Sequence, residues 1–139
     1  MTTTATPPHA AAAIDDATVT ALLTSLFAGP TLRGENVTTA RAAFQDALYE
    51  RSVVIDLRPA PARAVDGSLG VDAVVVDDPR DALAVVQRVA QHSAVVLVSS
   101  DGVFAARIAA HLRMLGLPWV DAVDGGFHAW RSAGLPLAA

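Results

Sequence analysis

Six consecutive residues, Ser99 to Phe104, form the stretch of this chain best suited to handling an anion. The run Val95-Val96-Leu97-Val98 reads as a buried strand, and the residues after Gly102 read as a helix. A tight strand-to-helix loop turns backbone N–H groups outward, and the helix dipole adds positive potential to them. A nucleophile at the first loop position would be activated by the same field. That position is Ser99, and the chain contains no cysteine. A serine hydroxyl is a poor nucleophile unless a base takes its proton, and the sequence puts no histidine beside it.

A second candidate is Asp56-Leu57-Arg58, a carboxylate and a guanidinium at the end of the apolar run Ser52 to Pro59. Ligands of open α/β sheets bind beyond such strand ends. Asp56 either pairs with Arg58 or bonds loop amides and braces the site. Ser100, Asp121 or Asp124, and His128 follow the order of a hydrolase triad, but Val98 stands where G-x-S-x-G needs its first glycine. The histidines, His9, His92, His111 and His128, are dispersed and lack metal-ligand spacing. His111, four residues after Arg107, is assigned to the polar face of its helix. No metal and no cofactor is expected.

The absence of cysteine excludes disulfides, thiolate zinc sites and iron–sulfur clusters. A net charge of −4, with no basic stripe, argues against nucleic acid as the partner. No apolar run approaches the ~18 residues of a membrane span. Met1 to Ala13 holds no Lys or Arg, so the basic start of a secretory signal is missing and a cytoplasmic location is expected. At 139 residues and 53% apolar content the chain is one domain with a real core.

The elements that must position these residues follow from periodicity and punctuation. Residues 1–13, rich in Thr, Pro and Ala, are expected to be a disordered tail. Asp15 or Asp16 caps a helix with Val19, Leu22, Leu23, Leu26 and Phe27 on one face, stopped by Gly29-Pro30. This helix and its linker occupy residues 14–35, and its apolar face packs on the domain or meets a partner. Thr38 or Thr39 caps a second helix, with Ala40, Phe44, Ala47 and Leu48 inward. Ala60 to Gly70 reads as loop, and Ala73 to Val76 as a strand. Asp78-Pro79 opens a helix to about Gln91, and Asp77, Asp78 and Asp81 are assigned to capping it and complementing its dipole. Phe104, Ile108, Leu112 and Leu115 stripe the next helix, which Gly116 ends. Trp119 to Val123 is a last strand, and Gly125-Gly126 turns into a helix carrying Phe127 and Trp130. Alternating strands and helices predict a parallel sheet covered on both faces.

Three motifs resemble the rhodanese homology domain of single-domain sulfurtransferases, over roughly residues 36 to 137. They are Val53-Val54-Ile55-Asp56-Leu57-Arg58, the loop Ser99 to Phe104, and the closing stretch Val123 to Pro136 with its Gly125-Gly126, Ala129-Trp130 and Gly134-Leu135-Pro136. The resemblance implies an α/β, three-layer fold over residues 36–139. It implies a five-stranded, mostly parallel central sheet flanked by helices, with the N-terminal helix as an addition.

In that family the loop begins with the cysteine that carries a persulfide, and its fourth residue is commonly glycine. Gly102 matches the glycine, Ser99 replaces the cysteine, and Phe104 stands where an arginine is often found. Gly67-Ser68-Leu69-Gly70-Val71 replaces a segment that usually carries a histidine. The resemblance therefore implies an anion-binding loop of Ser100, Asp101, Gly102, Val103 and Phe104, supported by Asp56 and Arg58, around an inactive Ser99. The expectation is a catalytically inactive domain with residual anion binding or a regulatory or interaction role. The alternative is a thiosulfate-type sulfurtransferase represented by a Cys→Ser variant. A small anion, a protein partner or a second copy of the chain remain as candidate partners.

Overall fold

The computed structural model describes residues 37–117 and 119–138. The expected tail, N-terminal helix and linker lie outside the described residues.

The fold is built from β1 (Val37–Thr38), α1 (Ala40–Leu48), β2 (Val53–Asp56), α2 (Ala60–Asp66), β3 (Ser68–Leu69), β4 (Ala73–Val75), α3 (Pro79–Ala90), β5 (Val95–Val98), α4 (Val103–Met114), β6 (Val120–Val123), α5 (Gly126–Ser132) and β7 (Leu137–Ala138). Five strands form one parallel sheet in the order β1-β6-β5-β2-β4. The short β3 and β7 pair antiparallel beside it.

Successive strand side chains point to opposite faces, and the core divides accordingly. Ile55, Val95, Leu97 and Ala122 pack with Leu83 and Val86 of α3 and with Ile108 and Leu112 of α4. Val54, Val96, Val98 and Val123 pack with Ala40 and Ala43 of α1 and with Phe127 and Trp130 of α5. Both faces are covered, as near-continuous apolar strands require. Trp130 is fully buried, meets Phe44 edge-on at 5.9 Å, and donates its Nε1 hydrogen to the Pro136 carbonyl at 3.1 Å.

The helix starts follow their capping residues. Thr39, not Thr38, caps α1, its hydroxyl accepting from Ala42 N at 3.0 Å, while Thr38 is in β1. Asp78 caps α3, accepting from Arg80 N at 2.9 Å, with Pro79 at the first helical position. Asp77 does not help cap that helix, because its carboxylate pairs with Arg63.

Four expectations are corrected. Residues 60–70 are not loop throughout, because Ala60–Asp66 is a helix and Ser68–Leu69 a strand. Prolines are tolerated in a first helical turn, and the Ala-rich sequence after Pro59 is a good helix former. Gly67, at φ +85°, ends it. Leu48, expected inward, is the last residue of α1 and is 57% exposed. Leu115, expected on the apolar stripe of the next helix, is the C-cap just beyond α4 and is 53% exposed. The polar face given to α4 is not solvated: Arg107 is buried and His111 half-buried, since this helix lies against the middle of the sheet. Among the described residues, no helix is long and apolar enough to cross a membrane.

Candidate functional site

The loop from Ser99 to Phe104 joins the carboxyl end of β5 to the start of α4. Ser99 is 5% exposed, and its hydroxyl oxygen accepts the Ala105 amide hydrogen at 3.2 Å. Its carbonyl accepts from Phe127 N at 2.8 Å, and the Ser100 carbonyl accepts from His128 N at 3.2 Å. The carboxylate of Asp101 accepts from Val103 N at 3.0 Å. Two amides at the head of α4 are therefore already served by the loop's own side chains. These are the orphan donors on which a helix N-terminus relies to hold an anion.

Gly102 and Gly126 explain how the loop keeps its shape. Gly102 is left-handed at φ +91°, and a Cβ there would lie 2.9 Å from both Gly125 N and Val123 O. A Cβ on Gly126, itself at φ +58°, would lie 2.1 Å from the Ser99 carbonyl oxygen and 2.5 Å from Gly102 N. The α5 turn thus presses its backbone directly on the backbone of the loop. Phe104 is half-buried and packs on the core shared by α3 and α4, so its ring contributes no charge to the loop.

Asp56 and Arg58, both 1% exposed, lie beside this loop; Leu57 N donates to the Val98 carbonyl at 2.8 Å and ties the two strand ends together. Both readings of Asp56 hold at once. Its carboxylate receives Arg58 Nε at 3.0 Å and Nη2 at 2.8 Å, a bidentate pair, and also the Arg58 amide at 3.1 Å. Arg58 Nη2 further donates to the Gly67 carbonyl at 3.0 Å. Nη1 is closed to solvent and has no hydrogen-bond partner, but the guanidinium carbon lies 4.0 Å from the Phe127 ring centroid. A cation against an aromatic face at that distance is attracted by the ring quadrupole. Arg131 lies 5.4 Å from the same centroid and reaches Asp66 at 3.4 Å.

The structure thus brings Asp56, Arg58 and the Ser99–Phe104 loop together at one end of the sheet. The sequence reading did not single out Arg131, Asp66 or the Gly67 carbonyl. The last gave no signal in the sequence, because a backbone oxygen is presented by whatever residue turns the chain there. The hydrolase order is not assembled. His128 is exposed, its ring Nδ1 faces Arg131 Nη2 at 3.5 Å, and it meets Ser100 through main-chain atoms. Among the described residues, no group of three or more His, Asp or Glu side chains comes together to hold a metal ion. A groove of about 1,090 Å³ opens elsewhere, at the starts of β2, β4 and β5, and one of about 680 Å³ lies between α2 and β7.

No protein-family model and no curated protein sequence matches the chain. Solved structures do. A rhodanese-related protein from Thermoplasma volcanium is 17% identical, with TM-score 0.56 over 73% of this chain and 96% of that one. A protein of unknown function from Rhodopseudomonas palustris, described as a possible tyrosine phosphatase, is 20% identical, with TM-score 0.56 over 86% and 92%. A protein from Lactobacillus plantarum is 18% identical, with TM-score 0.57 over 91% and 100%. At such identities the likeness speaks to architecture alone. The chain folds as a rhodanese-like α/β domain with a five-stranded parallel sheet.

Proposed function

We propose that this domain is catalytically silent at the rhodanese-like loop and serves a regulatory or interaction role. One observation carries the reading: the Ser99 hydroxyl is buried and already accepts the Ala105 amide, where a sulfur carrier would have to present a reactive atom. An oxygen at that position cannot hold a persulfide, and among the described residues no base is aimed at it to raise its nucleophilicity. Asp101 strengthens the case. Its carboxylate occupies the head of α4, so an incoming anion meets a negative group that has taken an amide it would need. Residual anion binding is accordingly weak in this reading.

The Cys→Ser variant is kept as the second reading, on the intact backbone contact between Gly102 and Gly126. The cradle has its walls, so restoring sulfur is a fair test. Ser99→Cys, purified and checked by mass, is assayed for thiocyanate formed from thiosulfate and cyanide. The silent reading expects no turnover above the unsubstituted chain. Robust turnover overturns it in favour of the variant.

A further inference from the structure

Strand β7 pairs only with β3, Ser68 opposite Ala138 and Leu69 opposite Leu137. Just ahead of it the Pro136 carbonyl accepts two donors, Gly70 N at 3.0 Å and Trp130 Nε1 at 3.1 Å. The approach to β3 is close. A Cβ on Gly70 would lie 2.5 Å from the Pro136 oxygen, and one on Gly67 2.8 Å from the Ala138 oxygen. Yet Leu137 is 40% exposed and Ala138 is exposed, so little apolar burial holds the strand down. Leu135 is buried, which anchors the chain one residue before Pro136. A segment held by a short ladder with little buried apolar surface opens at a lower free energy than the core.

We infer that residues 136–138 are a detachable strap whose docking holds the Ser99 loop in place. Two routes lead from the strap to the loop, and both pass through Phe127. The first runs along α5. Trp130, bonded to Pro136, stands three residues after Phe127, whose amide donates to the Ser99 carbonyl at 2.8 Å. The neighbouring amide of His128 donates to the Ser100 carbonyl at 3.2 Å. The second route runs through β3. Gly67 lies against Ala138, and its carbonyl accepts Arg58 Nη2 at 3.0 Å. Arg58 in turn lies 4.0 Å from the centroid of the Phe127 ring.

Contacts in series transmit a change only where one element has two arrangements that the distant site can sense. The strap is that element. Docked, it fixes the Trp130 end of α5 and the Gly67 carbonyl together; undocked, it releases both, and the two main-chain bonds from α5 to the loop loosen. The regulatory purpose of such a device rests on the role proposed above. The coupling itself involves main chain and does not depend on the side chain at position 99.

Residue-by-residue amide hydrogen exchange on the full chain tests the strap without any assay of turnover. In the parent chain the Gly70 amide should exchange at least tenfold faster than that of Leu97 in the central strand β5. Equal rates overturn the inference, because the strap then opens only with the core. Gly70→Ala forces the strap off: Gly70 lacks a positive φ, so the new methyl acts through its collision with Pro136. The Phe127 and His128 amides should then exchange at least tenfold faster than in the parent, with Leu97 unchanged. Phe127 as well protected as in the parent overturns the coupling, whether or not residue 70 has lost its own protection. Leu97 accelerating in step with Phe127 overturns it too, since the strap is then part of one cooperative unit.

Discussion

The guanidinium carbon of Arg58 lies 4.0 Å from the Phe127 ring centroid while its Nε and Nη2 are both held by Asp56. This couples the end of β2 to α5, and through the Phe127 amide to the Ser99 carbonyl. Asp56→Ala would leave a buried cation without its counter-charge, a change that typically costs about 3–5 kcal/mol. Urea denaturation should show a loss of that size. The double variant Asp56→Ala/Arg58→Met should recover much of it, because an apolar chain of similar length removes the uncompensated charge. A double variant as unstable as the single one would show that the pair does more than neutralise itself.

Two glycines with positive φ should respond very differently to alanine. At Gly126 the new Cβ collides with the Ser99 carbonyl and the Gly102 amide, both backbone atoms that cannot rotate away. Gly126→Ala should lose several kcal/mol and yield little folded protein. At Gly116, φ +91°, nothing lies within 4 Å. Gly116→Ala should therefore lose only the left-handed backbone cost of about 1–2 kcal/mol. Comparing the two melting temperatures tests whether contact between the loop and α5, not backbone conformation alone, fixes the site.

Asp101 is expected to act as an internal anion. Asp101→Asn keeps the oxygen that accepts from Val103 N but removes the negative charge at the head of α4. The variant should differ in stability by no more than about 1 kcal/mol, the usual worth of a cap. Millimolar sulfate or thiosulfate should raise its melting temperature, whereas the parent chain should show no shift. An equal response from both proteins would mean that the carboxylate is not what repels anions.

Two half-buried groups give opposite pH slopes. Burial lowers the His111 pKa below its ordinary 6.5, so the unfolded chain takes up a proton first. Stability from this group is intact above about pH 6.5 and declines as pH falls towards the lowered folded value. His111→Gln should flatten that decline. Burial raises the Asp121 pKa, with Arg113 opposing and Asp46 adding to the rise. Here stability falls as pH rises from the ordinary carboxylate value through the raised one. Asp121→Asn should be slightly more stable than the parent at neutral pH, and the gain should vanish in acid. Denaturation midpoints measured from pH 4 to 8 resolve both effects.

The parallel sheet was legible because Val53–Ile55 and Val95–Val98 are uninterrupted apolar runs between helical stripes, as double-sided burial demands. The starts of α1 and α3 were legible because Thr39 and Asp78 act through their own side chains on amides two or three residues away. What depends on distant chain was not. Strands β1, β3 and β7 are two residues each, exist by pairing alone, and have no periodicity to read. Helix α2 hid behind prolines that mimic a loop. At the site, Asp56, Arg58 and Ser99 could be named in advance. That the Ser99 hydroxyl would be engaged by Ala105 could not, since it depends on how α4 winds back over the loop.

The contact between Gly102 and Gly126 also sets how this architecture can change over generations. Side chains lining the cradle are free to vary without moving its walls. The spacing of its walls is not, since any branch at either glycine forces main chain into main chain. A change of side chain at position 99 would therefore leave the mould around it unaltered.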